Sequence, residues 1–228
     1  MALIRLEQVW KTYALGAARV AALRAVDLEI EAGEFVAVWG PSGSGKTTLC
    51  NLVGAVDTPT SGRVWFEGRE TGGLTDDARS DHRNRSIGFI FQRFNLVPVL
   101  DSLENVMLPL SLRGEGDRAA RARAAGLLEE LGLAEFMGQR PDRLSGGQQQ
   151  RVAIARALVT SPRVVIADEP TANLDSENAA RIVGLMREAN RARGTTFIFS
   201  THDQRLLAQV RRRVQLRDGT VVADEVCA

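Results

Sequence analysis

The chain has 228 residues, of which 44% are hydrophobic and 25% charged, with a formal net charge of +1. That length and composition support a full globular core, and the near-neutral balance excludes a nucleic-acid or membrane-surface partner recruited by bulk electrostatics. No apolar run approaches the roughly 20 residues that cross a bilayer, and the opening Met1-Ala2-Leu3-Ile4-Arg5-Leu6-Glu7 alternates like a strand instead of forming a signal-peptide core, so a cytosolic protein is expected whose membrane role comes only through a partner.

Residues 3–9 read as a strand, followed by Trp10-Lys11-Thr12-Tyr13 and a small-residue loop through Ala18. Tyr13, the only tyrosine, reads here as a strand-end aromatic packed on the core. Residues 20–30 alternate loosely, with Val26, Leu28 and Ile30 on one face, and a turn at Gly33 leads into the apolar run Phe35-Val36-Ala37-Val38-Trp39. Gly40-Pro41-Ser42-Gly43-Ser44-Gly45-Lys46-Thr47 then enters a helix-compatible stretch beginning Thr48-Leu49-Cys50. Strand, glycine loop and helix in this order form the P-loop pattern in the context it requires. Its glycines let backbone N–H groups turn inward on a polyphosphate, and the following helix N-terminus adds partial positive charge. Lys46 can reach the outer phosphates and Thr47 offers a hydroxyl to Mg²⁺, so ATP or a related triphosphate with Mg²⁺ is the expected ligand.

Beyond the P-loop helix, a turn at residues 58–62 precedes the short strand Arg63-Val64-Trp65-Phe66. Residues 68–80 read as an exposed loop leading to a short helix at about 77–85, where His82 sits among charges as a surface histidine. Ile87-Gly88-Phe89-Ile90-Phe91 is strand-like and delivers Gln92. From residue 95 to 158 the character is helical: one helix opens at Ser102 as its N-cap, another runs from Asp117 to Leu131 with Gly132 after it, and a third opens at Ser145. Arg163-Val164-Val165-Ile166-Ala167-Asp168 is a buried-type strand ending in acid. Residues 176–193 are helical with Ser176 as N-cap and Gly194 as terminator, residues 195–200 form another strand, 203–209 a short helix, and an Asp218-Gly219 turn closes a final hairpin. The two cysteines, Cys50 and Cys227, read as buried or terminal and not as metal ligands. Arg211-Arg212-Arg213 reads as a solvated strand edge.

A second constellation, Leu144-Ser145-Gly146-Gly147-Gln148, pairs two glycines and a hydroxyl with another helix N-terminus, which is a second anion-binding arrangement. One copy already holds its nucleotide in residues 40–47, so a second phosphate-facing loop points to two copies sharing the nucleotide.

With these motifs in order along essentially the whole chain, the sequence resembles the ATP-binding-cassette (ABC) ATPases. Residues 40–47 match the Walker A loop, Gln92 the Q-loop, residues 144–148 the ABC signature, and 164–168 Walker B followed by Glu169. Asn173-Leu174-Asp175 matches the D-loop and His202 the switch histidine, while Tyr13 falls where the family stacks adenine. The resemblance implies an α/β fold: a P-loop NTPase ABC ATPase with a RecA-like α/β core, an N-terminal antiparallel β subdomain and an inserted α-helical subdomain. It would be one domain over 1–228, with 1–92 and 162–228 forming the core and β subdomain and about 93–161 the helical insert carrying the signature. Asp168, Thr47 and Gln92 would hold Mg²⁺; Glu169 would polarise the attacking water; His202, Gln92 and Lys46 would act on the γ-phosphate. Ser145, Gly146, Gly147 and Gln148 would act from the opposite subunit of a homodimer that closes over two Mg·ATP.

Residues 83–110, around Gln92, are similar to the lipoprotein-releasing (LolD) and macrolide-exporter (MacB) group, which also includes the cell-division ATPase FtsE. Trp39, Cys50 and Asp101 depart from that group's usual residues without touching a phosphate-binding position. The group implies an ATPase peripheral on the inner face of the membrane, driving a separate MacB/LolCE-type permease for export or extrusion of lipoprotein, drug, haem or peptide. The alternative is an FtsE-like cassette that signals across the membrane to cell-wall enzymes without transport. Phe94 and Leu96 are either core or part of the permease-facing surface.

Overall fold

The computed structural model describes residues 2–16 and 18–227; Met1, Ala17 of the small-residue loop, and Ala228 lie outside the described residues. The apolar runs read from the sequence become adjacent strands because each is flanked by turn residues and is apolar on both faces. β3 (Phe35–Trp39), β8 (Thr196–Thr201), β7 (Val164–Ala167) and β6 (Ile87–Ile90) lie side by side and parallel; β9 (Arg212–Arg217) pairs parallel with β3 on its other side, and β10 (Thr220–Val226) closes the edge antiparallel to β9. The register fixes where they end: Trp39 faces Thr201, while Ala167 and Ile90 are level with Phe199, two residues earlier. The residues just past these strands therefore leave the sheet along one rim, where α/β sheets bind ligands.

A second sheet of order β2-β1-β4-β5 is antiparallel and built from β1 (Ile4–Leu15), β2 (Ala18–Ile30), β4 (Ser61–Phe66) and β5 (Arg69–Glu70). β1 runs well past the expected end at Val9. The reason is bulging: Gln8 adopts φ 47°, and the β1–β2 register shifts after Leu6, Val9 and Lys11, which breaks the alternation that marks a strand in sequence. The bulge is held by the Gln8 N–H donating to Asp27 Oδ1 at 2.8 Å.

Alternation sorts the core into two layers. On one face of the parallel sheet Val36, Val38, Val164, Ile166 and Ile198 pack with Leu49 and Leu52 of α1 (Lys46–Val53) and with Ile4, Leu6 and Ile30 of the antiparallel sheet. On the other, Ala37, Val165, Phe197 and Phe199 pack with a layer containing α3 (Ser102–Leu112), α4 (Asp117–Glu130), α5 (Gly146–Leu158) and α6 (Ser176–Arg193). The helices α2 (Asp76–Ser86) and α7 (Gln204–Leu207) and short 3₁₀ turns at Ala134–Phe136 and Pro141–Arg143 complete the described elements. None of the described helices is long and apolar enough to cross a membrane.

Two helix starts differ from expectation by one residue. α3 is capped by Asp101, whose Oδ1 accepts from Glu104 N–H at 2.8 Å while Glu104 Oε2 accepts from Asp101 N–H at 2.9 Å. A carboxylate also complements the helix dipole where a hydroxyl does not, and Ser102 Oγ instead donates to the Gln139 carbonyl. Likewise Asp175, and not Ser176, accepts from Asn178 N–H at the start of α6. His82 is half-buried and not a plain surface residue: its ring meets Phe66 edge-on with centroids 4.6 Å apart, and burial, reinforced by Arg69, lowers its pKa. Cys50 is buried, which pushes its thiol pKa up.

Gly88 marks where α5 rides directly on β6, since a Cβ there would lie 2.3 Å from the Ala157 carbonyl oxygen. Gly126, within α4, faces open space. Gly88→Ala is expected to cost about 1–3 kcal/mol in urea unfolding, whereas Gly126→Ala should stabilise by up to about 1 kcal/mol.

Candidate functional site

The loop at residues 40–47 is shaped by two close approaches. A Cβ on Gly40 (φ 153°) would lie 2.1 Å from the Leu216 carbonyl oxygen, and one on Gly45 (φ 102°) 2.5 Å from that of Ala22. Gly219 N–H donates to the Ser44 carbonyl at 3.1 Å, so the β9–β10 turn backs the loop from behind. Lys46 is 6% exposed, and its Nζ donates to the Gly40 and Pro41 carbonyls at 3.0 and 2.9 Å. Ser44 Oγ is buried without a protein partner. A buried ammonium, an unsatisfied buried hydroxyl and a helix N-terminus with no acidic residue in its first turn make a cradle suited to phosphate. Pro41, Ser42 and Gly43 form the exposed outer part of this loop, and Thr48 is buried in α1 just behind it.

Asp168 leaves the end of β7, its N–H donating to the Ile90 carbonyl at 2.9 Å. Its Oδ1 accepts from Thr47 Oγ1 at 3.2 Å and from Ser200 Oγ at 2.7 Å. Thr47 and Asp168 thus offer paired hard oxygens, which fits Mg²⁺, a cation commonly held by one or two carboxylates together with phosphate and water oxygens. Among the described residues there is no cluster of three or more His, Cys, Asp or Glu that could form an all-protein metal cage.

Glu169 follows with φ 46°, a left-handed conformation costing a non-glycine residue about 1–2 kcal/mol. Its N–H donates to Ser200 Oγ at 2.8 Å, and its Oε1 lies 3.2 Å from His202 Nδ1. The Glu169 side chain is 23% exposed and that of His202 62%, so the pair faces the open rim. A cleft of about 140 Å³ is lined by both, together with Thr171, Ala172, Thr201 and Asp203. Ser200 joins Asp168 to Glu169, yet no motif singled it out; the only cue in the sequence is a hydroxyl side chain within an apolar strand.

Gln92 is exposed just past β6, with its carbonyl accepting from Asn173 Nδ2 at 2.6 Å. Ser145 caps α5 reciprocally with Gln148: Ser145 Oγ accepts from Gln148 N–H at 3.3 Å, and Gln148 Oε1 from Ser145 N–H at 2.8 Å. A Cβ on Gly146 would meet Leu174 at 3.5 Å and one on Gly147 would meet Asn178 at 3.3 Å. Within one chain, then, the structure gathers Lys46, Thr47, Asp168, Glu169 and His202 along the sheet rim. Residues 144–148 lie instead against the segment 173–178, and no hydrogen bond or ion pair among the described residues joins them to residues 40–47. Tyr13 stands on β1, half-buried, its hydroxyl donating to Asp57 Oδ2 at 2.9 Å.

Ser200→Ala is expected to leave the Glu169 N–H without its acceptor and to lower stability by about 1–3 kcal/mol in urea unfolding.

Comparison with known proteins agrees with this geometry. The family model described as ABC transporter matches residues 23–172. The lipoprotein-releasing system ATP-binding protein LolD of Anaeromyxobacter dehalogenans is 49% identical over 229 residues, spanning 97% of this chain and 93% of that protein. The macrolide export ATP-binding/permease protein MacB of Syntrophobacter fumaroxidans is 48% identical over 97% of this chain, which spans only 31% of that longer protein. Among solved structures, the dimeric post-hydrolysis state of the ATP-binding cassette MJ0796 of Methanocaldococcus jannaschii, bound to ADP and Pi, superposes with a TM-score of 0.91 at 42% identity, covering 99% of each chain.

Proposed function

The chain belongs to the ABC transporter family, and from that premise we propose that it is an ATP-hydrolysing subunit that pairs head to tail with a second copy over two Mg·ATP and drives a separate membrane permease. The observation that carries the reading is the division of the phosphate-facing groups. The loop 40–47 and the acids behind it stand on one rim, while the second anion-binding helix start, Ser145 to Gln148, makes no bond to that loop in its own chain. A second copy, turned to face the first, can supply residues 144–148 to the open side of the cradle. The dimeric arrangement of MJ0796 with ADP and Pi supports this pairing.

In this reading Lys46 exchanges its two carbonyl contacts for phosphate oxygens, at little enthalpic cost because its donors are already held toward the loop. Thr47, Asp168 and Gln92 would hold Mg²⁺, which supplies charge neutralisation at the phosphates. Glu169, whose backbone Ser200 pins, accepts a proton from the attacking water, and His202 donates to the terminal phosphate. Tyr13 stacks on the base, while the glycines and hydroxyls of residues 40–48 wrap the phosphates. The LolD relative, matched over nearly its whole length, supports a permease on a separate chain, for export or extrusion of lipoprotein, drug, haem or peptide. The protein would then work at the cytoplasmic face of the membrane, and no nucleic acid takes part. The elements would divide as one domain, with residues 93–161 as the helical insert that meets the permease.

Glu169→Gln is expected to lower ATP turnover by at least about 10²-fold while leaving a stable ATP-bound dimer in light scattering; full turnover in that variant removes Glu169 as the base. Ser145→Arg should prevent ATP-driven dimerisation of the Glu169→Gln protein, and a normal dimer would sink the shared site.

A further inference from the structure

We propose that Lys11 and Asp57 are positioning residues for the nucleotide base, forming a clamp that locks the Tyr13 ring and ties it to the helix that follows the phosphate loop; this rests on the reading of Tyr13 as the base platform. Asp57 is a hub. Its Oδ2 accepts from the Tyr13 hydroxyl at 2.9 Å, and its Oδ1 accepts from Lys11 Nζ at 2.6 Å and from Thr58 N–H at 2.7 Å. Lys11 Nζ donates also to the Thr58 carbonyl at 2.8 Å and sits 4.9 Å from the centroid of the Tyr13 ring. The hydroxyl bond fixes the tip of the ring, and the ammonium covers one face, leaving the other to receive a planar base.

The Lys11 side chain is only 12% exposed and that of Asp57 29%, so the contacts are shielded enough to hold their geometry. Burial on its own would raise the Asp57 pKa, but the donors from Lys11, Thr58 and Tyr13 outweigh it and hold the carboxyl below its ordinary value; burial pushes the Tyr13 hydroxyl up, with Thr48 opposing and the Asp57 carboxylate adding to the rise. The clamp is thus an ionised carboxylate between an ammonium and a protonated phenol at neutral pH.

Where Asp57 sits gives the clamp its use. The chain leaving α1 is folded back by Val56 and Asp57 N–H groups donating to the Asn51 carbonyl. Asp57 is therefore carried by the helix whose first residue is Lys46, and that helix is about 12 Å long. Through Asp57 the base platform is tied to the same helix that carries Lys46, and the Tyr13 hydroxyl also faces Thr48 in its first turn. Lysine occurs in this chain only at Lys11 and Lys46, every other basic side chain apart from two histidines being arginine. Each places a compact ammonium between oxygen acceptors: Asp57 and the Thr58 carbonyl for Lys11, the Gly40 and Pro41 carbonyls for Lys46.

The test compares a ligand that has a base with one that has none, by calorimetry on the purified full chain. Tyr13→Phe keeps the ring and removes its anchor; it should weaken ADP binding about three- to tenfold and leave inorganic tripolyphosphate binding unchanged. Asp57→Ala should act in the same direction, and the double variant should lose no more than Asp57→Ala alone. Equal weakening of ADP and tripolyphosphate, or an unaltered ADP affinity in Tyr13→Phe, overturns the clamp. If Asp57→Ala does not fold, Tyr13→Phe decides the matter alone. An unaltered ADP affinity in Tyr13→Ala overturns the base-platform reading itself, whereas loss in Tyr13→Ala with none in Tyr13→Phe overturns only the clamp.

Discussion

The fixed register of four parallel strands is the constraint on which the site depends. Because β3 and β8 end together at Trp39 and Thr201, and β7 and β6 end together at Ala167 and Ile90 two residues short of them, the residues that follow each strand emerge along one rim although they are far apart in sequence. The apolar faces enforce that alignment. A slip of one residue in β7 would send Val165 and Ala167 to the layer that now takes Val164 and Ile166. Packing on both faces of the sheet, more than any bond at the rim, sets Asp168 beside Thr47.

On that frame a short polar chain does the finer placement. Ser200 donates to Asp168 and accepts from Glu169, so one hydroxyl links the oxygen that faces Thr47 with the backbone of the residue beside His202. The left-handed backbone at Glu169 turns its carboxylate toward the rim. Strain of this kind persists where the surroundings over-determine it, and here a hydrogen bond and the next strand do so.

Much of this was legible in the sequence where a local rule is strict. The P-loop reads because glycine is required at a close backbone approach, as at Gly40 and Gly45. The reciprocal cap at Ser145 and Gln148 reads because its two members are three residues apart, and the final hairpin reads because Asp218 and Gly219 both adopt positive φ. What escaped has no local signature. Ser200 acts through residues more than thirty positions upstream. Lys11 and Asp57 meet across 46 positions, and β1 hides behind its bulges. The displaced caps at Asp101 and Asp175 show a subtler limit: adjacent Asp and Ser are both good caps, and only the fold decides which carries the bond.

The contact of Gly40 and Ser44 with Leu216 and Gly219 has a consequence for the order in which the protein is made. A ribosome delivers residues 40–47 well before residues 216–219, the rear wall against which they curl. A nascent chain that has emerged only as far as α6 has the whole glycine loop and lacks the carbonyl and amide that brace it. The loop is therefore braced only after the helices of residues 102–158 have emerged and had time to pack.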